Sequence, residues 1–420
     1  MFVYHRGGIS FGAEGASLCA QAQQILAQRH PRYFPLVGDH CARDPARPAR
    51  RRIDNARLAR SSRFRLLFIM HRGGGGTEKH VRDLAALLES TCEVFILRGF
   101  DAATVVLEWA RRNEEFSTWF PLPQAYPELL ALLQNLLIER IHIHHVLDLP
   151  QLALRLPADL SLPYDFTLHD YYPICPQYNL TRLDGGYCGE PDTVGCTVCL
   201  AERPALWGLD IQSWRSGFRT LLAGAERVIA PSQDVLERLR RYVPEAHYVH
   251  LPHPEPMVTA PPLPCPAPSS ELKIVVIGRL TPAKGLYLLE ACAADARMRG
   301  LPLFFRLIGH ADREEWSPNP DWPLSFSGSY ADDQLRQLIV RERPDVIFFP
   351  ARWPETYSYT LSVAMSTGLP LVAPRLGAFI ERLAEYPRAQ LLDWDTPAAG
   401  WNNRLMSLWR GQSRENVNDA

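Results

Sequence analysis

The sequence predicts an α/β protein with two Rossmann-like domains that face each other across a cleft. Short apolar runs alternate with segments of helical periodicity from about residue 64, and a second series of the same kind begins near residue 271. A proline-rich stretch at 254–270 separates the two series. Such alternation favours parallel, doubly wound sheets, which bind ligands at the carboxyl ends of their strands. At 420 residues the chain is long enough for two large domains.

The first alternating series, residues 64–253, is the predicted N-terminal domain. Its predicted strands are 64–70, 92–99, 140–146, 164–170 and 227–232. The first strand leads into a glycine loop, and the segment TEKHVRDLAALLES that follows has apolar residues at helical spacing. The loop consists of Gly73, Gly74, Gly75 and Gly76. A cysteine-rich excursion at 175–199 interrupts the later part of this domain.

Residues 1–60 precede this pattern and end in a basic stretch. The arginine-rich part, residues 43–65, is predicted to be a solvated linker. Peripheral contact with acidic lipid headgroups at the inner membrane is the alternative.

The second alternating series, residues 271–395, is the predicted C-terminal domain. Its predicted strands are 273–279, 303–309, 345–351, 370–374 and 389–394. The prolines of residues 254–270 exclude a helix or a central strand, so that stretch is a stiff interdomain linker. A helix and tail are expected over 396–420.

Composition and charge exclude several classes of protein. A hydrophobic content of 46% and a charged content of 22% are typical of a globular enzyme, and a net charge of −1 gives no support for a nucleic-acid partner. No apolar run reaches the roughly 18 residues of a membrane helix, and the N-terminus lacks the apolar core of a signal peptide. We therefore expect a cytoplasmic protein.

Two cations near residue 280 suggest a diphosphate site in the second domain. In IGRLTPAKGL a strand leads into a helix, with Gly278 and Arg279 at the end of the strand and Lys284 predicted to open the helix. Helix N-termini favour anions, and these cations could hold a diphosphate without a metal ion. Only Lys79, Lys273 and Lys284 are lysines among the 45 basic residues, which makes each lysine informative.

A carboxylate near residue 355 suggests a sugar site in the same domain. In WPETYSYTLSVAMSTGLP, Glu355 lies in a loop after a strand, and Val363 follows eight residues later on the predicted helix. A carboxylate at this position can accept hydrogen bonds from sugar hydroxyls, or it can simply stabilise the helix N-terminus.

These motifs together resemble glycosyltransferase family 4, the retaining enzymes with two Rossmann domains that are called the GT-B type. The resemblance covers residues 64–395 and rests on IGRLTPAKG, FFPARWPETYSYTLSVAMSTGLP and LGAFIER in the second domain. In the first domain it rests on MHRGGGGTEKHVRDLA, IHIHH and FTLHDYYPICP. It implies a nucleotide-sugar donor, a glycan or lipid-linked glycan acceptor, and no cofactor for catalysis.

The resemblance also assigns expected roles to single residues. Arg279 and Lys284 match the pair that neutralises the leaving diphosphate, Glu355 matches the glutamate that lies against the transferred sugar, and His169 matches a histidine that contacts that sugar. Gly278, Thr356 and Tyr357 are expected beside the donor, with Gly73, Gly74, Gly75 and Gly76 in the loop that lets substrates approach the backbone. Val363 replaces the second glutamate of the family motif, which usually holds the nucleotide ribose, so we expect weak donor binding.

The N-terminal YHRGGISFG resembles the tail of a family 2 glycosyltransferase. Only the tail is present, so no activity is assigned to His5. We expect the chain to be the back half of a two-transferase polypeptide or its remnant.

Four cysteines share one loop-rich segment. Cys175, Cys188, Cys196 and Cys199 are spaced C-x12-C-x7-C-x2-C. The last pair suits a structural zinc site, and free buried thiols are the alternative.

The leading functional hypothesis is transfer of a sugar, with retention, to a surface polysaccharide such as an O-antigen or capsule, or to its lipid-linked precursor. A catalytically weakened or silent scaffold in a polysaccharide-assembly complex is a second hypothesis. A sugar-nucleotide epimerase is a third, although it needs well-placed acid and base carboxylates that the sequence does not identify.

Overall fold

The structure, a computed structural model, describes residues 15–58, 62–111, 116–255, 261–263, 269–313 and 317–418. The chain divides into two compact units, Met1–Ser62 and Arg63–Ala420. The segment that resembles a family 2 transferase, with His5, lies outside the described residues. Part of the proline-rich linker lies outside them as well.

The first unit is helical over its described residues. Its helices are α1 (Gly15–Arg29), α2 (Tyr33–Arg43) and α3 (Arg47–Leu58). Helix α3 covers much of the basic stretch, so Arg47–Leu58 of the predicted solvated linker is helical. Arginine and alanine are good helix formers, and Pro48 lies in the first turn of the helix, where proline is tolerated.

The second unit begins with an eight-stranded sheet. Its strands are β1 (Phe64–Met70), β2 (Cys92–Gly99), β3 (Thr104–Trp109), β4 (Ser117–Pro121), β5 (Arg140–Ile143), β6 (Tyr164–Thr167), β7 (Arg227–Ala230) and β8 (Tyr248–His250). Their order is β4-β3-β2-β1-β5-β6-β7-β8. Strand β3 pairs antiparallel with both β2 and β4, and β3, β4 and β8 are strands that were not predicted from the sequence. The other strands pair in parallel, as predicted.

Helices connect these strands and cover the sheet. They are α4 (Gly76–Leu88), α5 (Tyr126–Asn135), α6 (Leu156–Leu160), α7 (Thr193–Glu202), α8 (Ile211–Ala223) and α9 (Gln233–Tyr242), with 3₁₀ turns at Gln151–Arg155 and Leu206–Gly208. Helix α4 buries Val81 and Ala85 against apolar residues of β1 and β2. The carboxyl ends of β1, β5 and β6 consequently lie beside the start of α4.

A six-stranded parallel sheet follows in the same unit. Its strands are β9 (Leu272–Leu280), β10 (Leu303–Ala311), β11 (Leu324–Phe326), β12 (Val346–Phe348), β13 (Leu371–Pro374) and β14 (Ala389–Leu392), in the order β11-β10-β9-β12-β13-β14. Its helices are α10 (Leu286–Arg299), α11 (Leu335–Glu342), α12 (Tyr359–Ser366), α13 (Phe379–Arg382) and α14 (Ala398–Asn418), with a 3₁₀ turn at Asp332–Gln334. The core between sheet and helices contains Phe305, Phe348 and Trp401.

The two sheets confirm the predicted α/β class with two Rossmann-like domains. None of the helices in the described part of the chain combines the length and hydropathy of a membrane-spanning segment.

Candidate active site

The end of β9 and the turn after it carry the two predicted cations. Gly278 and Gly309 lie so close that a Cβ on Gly309 would come within 2.0 Å of the Gly278 carbonyl oxygen. Gly285 has a φ of 90° and is the N-cap of α10, where a Cβ would lie 1.9 Å from the Pro350 oxygen. Only glycine fits there. Lys284 therefore precedes the cap, and the prediction that it opens the helix is wrong.

The two cations have different surroundings. Arg279 is exposed and forms an ion pair with Asp312 at the end of β10. The Lys284 backbone N–H donates a hydrogen bond to Thr281 Oγ1 at 3.1 Å, while its side chain is exposed. The Lys284 charge acts on Glu355, whose pKa it lowers. Lys284 is therefore the cation that lies in electrostatic contact with the candidate sugar-binding carboxylate.

Glu355 lies in the loop between β12 and α12. Burial raises the pKa of its carboxyl group, against the lowering effects of Lys284 and of the Trp353 indole, which donates to Oε1 at 3.0 Å. The Ala378 N–H donates to the Glu355 carbonyl oxygen at 2.7 Å. A Cβ on Gly377 would lie 2.5 Å from that same oxygen, so the LGAF segment holds the Glu355 backbone closely.

A hydrogen bond joins the two domains beside Glu355. The Thr356 hydroxyl, from the second domain, donates to the backbone oxygen of His169, from the first domain, at 2.7 Å. The glycine loop lies at the same junction, since a Cβ on Gly76 would lie 3.6 Å from the Tyr359 ring. The structure thus brings together candidate residues of both domains. Thr356 and His169, which form this bond, are 187 positions apart in the sequence.

We expect Thr356→Val to lower the free energy of unfolding by about 1–3 kcal/mol, because it removes a buried hydroxyl and leaves the His169 carbonyl oxygen without that donor. Denaturant unfolding followed by fluorescence would measure the change. Thr220→Val is the matched control, because the Thr220 hydroxyl makes a similar bond to Ser216 on an exposed helix face. The control should change stability by at most about 0.5 kcal/mol, and equal losses would contradict the role of the cross-domain bond.

Four histidines are packed at this junction. The rings of His80 and His253 are 4.2 Å apart between centroids, and His144 Nδ1 lies 3.3 Å from His169 Nε2. Burial lowers the pKa of all four, to about 4 for His80 and well below the ordinary value for His144, His169 and His253. They are therefore neutral at physiological pH. A neutral imidazole can donate one hydrogen bond and accept another, as sugar hydroxyls require.

This histidine cluster could also hold a metal ion by geometry. Candidate ligand nitrogens of His80, His144 and His169 all lie within 4.8 Å of one another. Sequence analysis selected only His169 from the group. His80 lies on the glycine-loop helix and His253 at the end of the β8 segment, and neither belongs to a local metal-ligand or catalytic spacing that would have identified it.

Tyr357 and Val363, both expected beside the donor, differ in what their side chains could offer a ligand. The Tyr357 hydroxyl lies 2.6 Å from Glu255 Oε1 and 3.1 Å from the His253 oxygen, so it is committed to groups of the protein. Val363 is half-buried on α12 and offers no polar side-chain atom. Glu255, which the sequence analysis did not select, is the carboxylate that reaches this helix, where it accepts from Ser362.

An arginine holds the backbone between Glu355 and α12. Arg382 Nη1 donates to the carbonyl oxygens of Tyr357 and Ser358 at 2.6 and 2.8 Å. Ser358 has a φ of 71°, which is uncommon for a residue other than glycine. Such strain persists where surrounding contacts fix the backbone, and it is frequent at ligand-binding sites.

The predicted cysteines also come together, away from the histidines. Cys175, Cys188, Cys196 and Cys199 line one cavity of about 450 Å³.

Part of this chain is similar to a known protein family. Residues 74–254 match the sequence model of Glycosyltransferase Family 4. No curated protein sequence is similar enough to this chain to count as a match.

Several solved structures share the fold. Sucrose-phosphate synthase from Thermosynechococcus elongatus is 16% identical, with a TM-score of 0.56 over 82% of this chain and 90% of the other. HepE from Anabaena, in complex with UDP-glucose, is 16% identical, with a TM-score of 0.50 over 83% and 90%. The pneumococcal O-GlcNAc transferase GtfA, in complex with UDP and GlcNAc, is 9% identical, with a TM-score of 0.53 over 85% and 93%.

The family match lies in the first domain, and the shared fold extends over both domains. Residues 74–254 of this chain are therefore similar to Glycosyltransferase Family 4, and the chain shares the two-domain fold of these solved structures.

Proposed function

We propose that this chain transfers a sugar, with retention of configuration, from a nucleotide-sugar donor to a surface polysaccharide or a lipid-linked glycan precursor. The observation that carries the proposal is the Thr356–His169 hydrogen bond, because it sets the candidate sugar residues of the two domains side by side. HepE with UDP-glucose and GtfA with UDP and GlcNAc are similar folds that bind nucleotide ligands.

The charges around Glu355 suit the expected transition state. As a glycosidic bond to a diphosphate breaks, the diphosphate gains negative charge and the sugar becomes cationic. Lys284 and Arg279 supply positive charge at the turn after β9, and Glu355 supplies a carboxylate beside Lys284. Neutral His169 adds a hydrogen-bonding group that does not repel the sugar cation.

Retention fits a front-face displacement better than a double displacement. A double displacement needs a carboxylate positioned to attack the sugar, with a second acid or base nearby. In our proposal Glu355 interacts with the sugar hydroxyls, and the leaving diphosphate itself accepts the acceptor's proton. The acceptor hydroxyl oxygen then bonds the sugar carbon on the face that the diphosphate leaves.

A panel of nucleotide sugars tests the proposal. Slow hydrolysis of one donor, with release of the nucleoside diphosphate, would support a transferase, and NMR of a transferred product would give the anomeric configuration. Conversion of the donor to its epimer would favour an epimerase. Absence of nucleotide binding in calorimetry would favour a scaffold, and either of these last two results would overturn the proposal.

We expect Val363→Glu to strengthen donor binding about tenfold to a hundredfold, because a hydrogen bond from ribose to a charged group contributes roughly 1.5–3 kcal/mol. The ribose is remote from the reacting carbon, so KM should fall while kcat stays within about twofold. Steady-state kinetics with the best donor of the panel would measure both constants.

Val363→Leu is the matched control, since it changes side-chain size without adding a carboxylate. A gain of binding in both variants would indicate altered packing of α12. If the glutamate changes nothing in an active enzyme, other groups hold the ribose and our interpretation of this position is wrong. If wild type binds no nucleotide and the glutamate restores binding, the chain is a decayed transferase.

A further inference from the structure

The excursion between β6 and α8 folds back on itself and brings four distant cysteines to one cavity. Thr181 and Tyr187 form an antiparallel bridge, and the Cys188 N–H donates to the Leu180 oxygen at 2.8 Å. The last two cysteines, Cys196 and Cys199, lie three residues apart on α7 and therefore on one face of that helix.

Backbone N–H groups point at the first two sulfur atoms. The Glu190 N–H donates to Cys188 Sγ at 3.4 Å, two residues further along the chain. In the same way, the backbone of Gln177, two residues after Cys175, makes a hydrogen bond to the Cys175 sulfur. Both turns are tight, with a φ of 73° at Gly189 immediately after Cys188. Fixed N–H donors of this kind are the partners that orient a metal ligand from outside the ligand shell.

Two arginines contact the other two sulfur atoms. Arg203 Nη2 lies 2.9 Å from Cys199 Sγ, and Arg215 Nη2 lies 3.3 Å from Cys196 Sγ. Both arginines are half-buried. A divalent ion bound by four thiolates carries a net charge of −2, which two guanidinium groups would neutralise. The two guanidinium groups also contact the carbonyl oxygens of Thr181 and Ile174 and the Tyr242 ring, all of which are uncharged. A negatively charged metal site would give both arginines a charged partner.

We propose that Cys175, Cys188, Cys196 and Cys199 bind one zinc ion in a closed structural site. Four thiols lose their protons to solvent as four Zn–S bonds form, with no change of oxidation state. Zinc is the divalent ion that tetrahedral four-cysteine sites of this kind bind most often, with no position left open for chemistry.

Binding requires the four side chains to turn towards the ion. In the described part of the chain, only the histidine trio already has three ligand atoms within 4.8 Å of one another. Sulfur atoms around zinc are about 3.8 Å apart when the Zn–S bonds are about 2.3 Å long. Because three of the four cysteine sulfurs hydrogen-bond to Glu190, Arg203 or Arg215, those donors would remain as partners outside the ligand shell.

The site would fix a bridge between the two Rossmann-like domains. A Cβ on Gly185 would come within 2.6 Å of Pro282, in the turn that carries Lys284. The Tyr187 ring lies 5.8 Å from the Trp394 ring, in an edge-to-face arrangement. Zinc would therefore hold the excursion against the candidate diphosphate turn without itself contacting the donor.

The test is elemental analysis of the full chain purified without added metal. We expect about one zinc per chain, and less than a tenth of an equivalent would overturn the proposal. A chelator should remove the zinc and raise the number of reactive thiols by four. Replacement by Co²⁺ should give the visible absorption of tetrahedral cobalt thiolate, and octahedral cobalt spectra would count against the site.

Variants decide which residues hold the ion. Cys188→Ser and Cys199→Ser should each lose most of the zinc, whereas Cys92→Ser, at a half-buried cysteine on β2, should keep it. His80→Asn should also keep it, because the histidine cluster is separate from the cysteines. Zinc lost with His80→Asn and kept in the cysteine variants would overturn the proposal, as would disulfides among the four cysteines in the mass of the intact chain. Should the cysteine variants fail to fold, the wild-type zinc content, thiol count and cobalt spectrum still decide.

Discussion

Glu355→Gln is expected to lower kcat by roughly 10²-fold or more while changing donor affinity little. The amide keeps the shape of the side chain but removes the negative charge that would stabilise positive charge on the sugar. The positive charge on the sugar develops only in the transition state. Removing the carboxylate should therefore lower kcat and leave ground-state binding of the donor little changed. Rapid-quench turnover and calorimetric titration with the donor would separate the two effects.

Glu385→Gln is the matched control, because Glu385 is an exposed glutamate of the same domain. It should leave both constants unchanged. An unchanged kcat in Glu355→Gln would refute the role of this carboxylate, and an equal loss in both variants would indicate a general effect on the domain.

The same carboxylate should produce an acid limb in the pH dependence of kcat. Burial raises the pKa of Glu355, so the protonated form persists to a higher pH than for a solvent-exposed glutamate. The active, ionised form is present above this pKa and is lost as the pH falls through it. Glu355→Gln should abolish the limb.

Lys284→Ala is expected to weaken donor binding roughly tenfold to a hundredfold, and Lys273→Ala should leave it within about twofold. Lys284 is exposed just before the N-cap of α10, and its charge acts on Glu355, whereas the Lys273 ammonium group is paired with Glu342 at 2.7 Å. Among the residues that the structure describes, no carboxylate forms an ion pair with Lys284. A diphosphate could therefore bind Lys284 without displacing a protein partner. Isothermal titration with the donor nucleotide would measure both variants.

Removing Lys284 should also affect Glu355. Because the Lys284 charge lowers the pKa of Glu355, Lys284→Ala should shift the acid limb of kcat to higher pH. Lys273→Ala should not shift it. Equal affinity losses in the two lysine variants, or an unshifted limb in Lys284→Ala, would contradict the assignment.

Much of the fold could be predicted from local sequence. The strands Phe64–Met70 and Cys92–Gly99 have the predicted bounds, because a strand buried on both faces is a continuous apolar run. Predictions failed at strand ends and at the sheet edge. The predicted strand at 140–146 ends at Ile143, since the N–H groups of His144 and His145 both turn towards the Ile69 oxygen.

Parts of the candidate site could also be predicted, where chemistry and backbone geometry are local. Glycines at 278 and 285 mark positions that exclude a side chain or need positive φ, and a cation beside them indicates an anion site. The position of Lys284 before the cap could not be predicted from the sequence, because it depends on the close approach of Gly285 to Pro350 in the loop after β12.

The sequence by itself determined the two alternating series, the glycine turns and the chemical types of Lys284, Glu355 and His169. Only the tertiary structure decided that Thr356 bonds the His169 backbone, that His80 and His253 join the histidine cluster, and that Glu255 pairs with Tyr357. The reason is physical: hydrophobic periodicity depends on neighbours within one helix or strand. Contacts between side chains more than a hundred residues apart depend on how two sheets are packed and joined, and no local spacing records that packing.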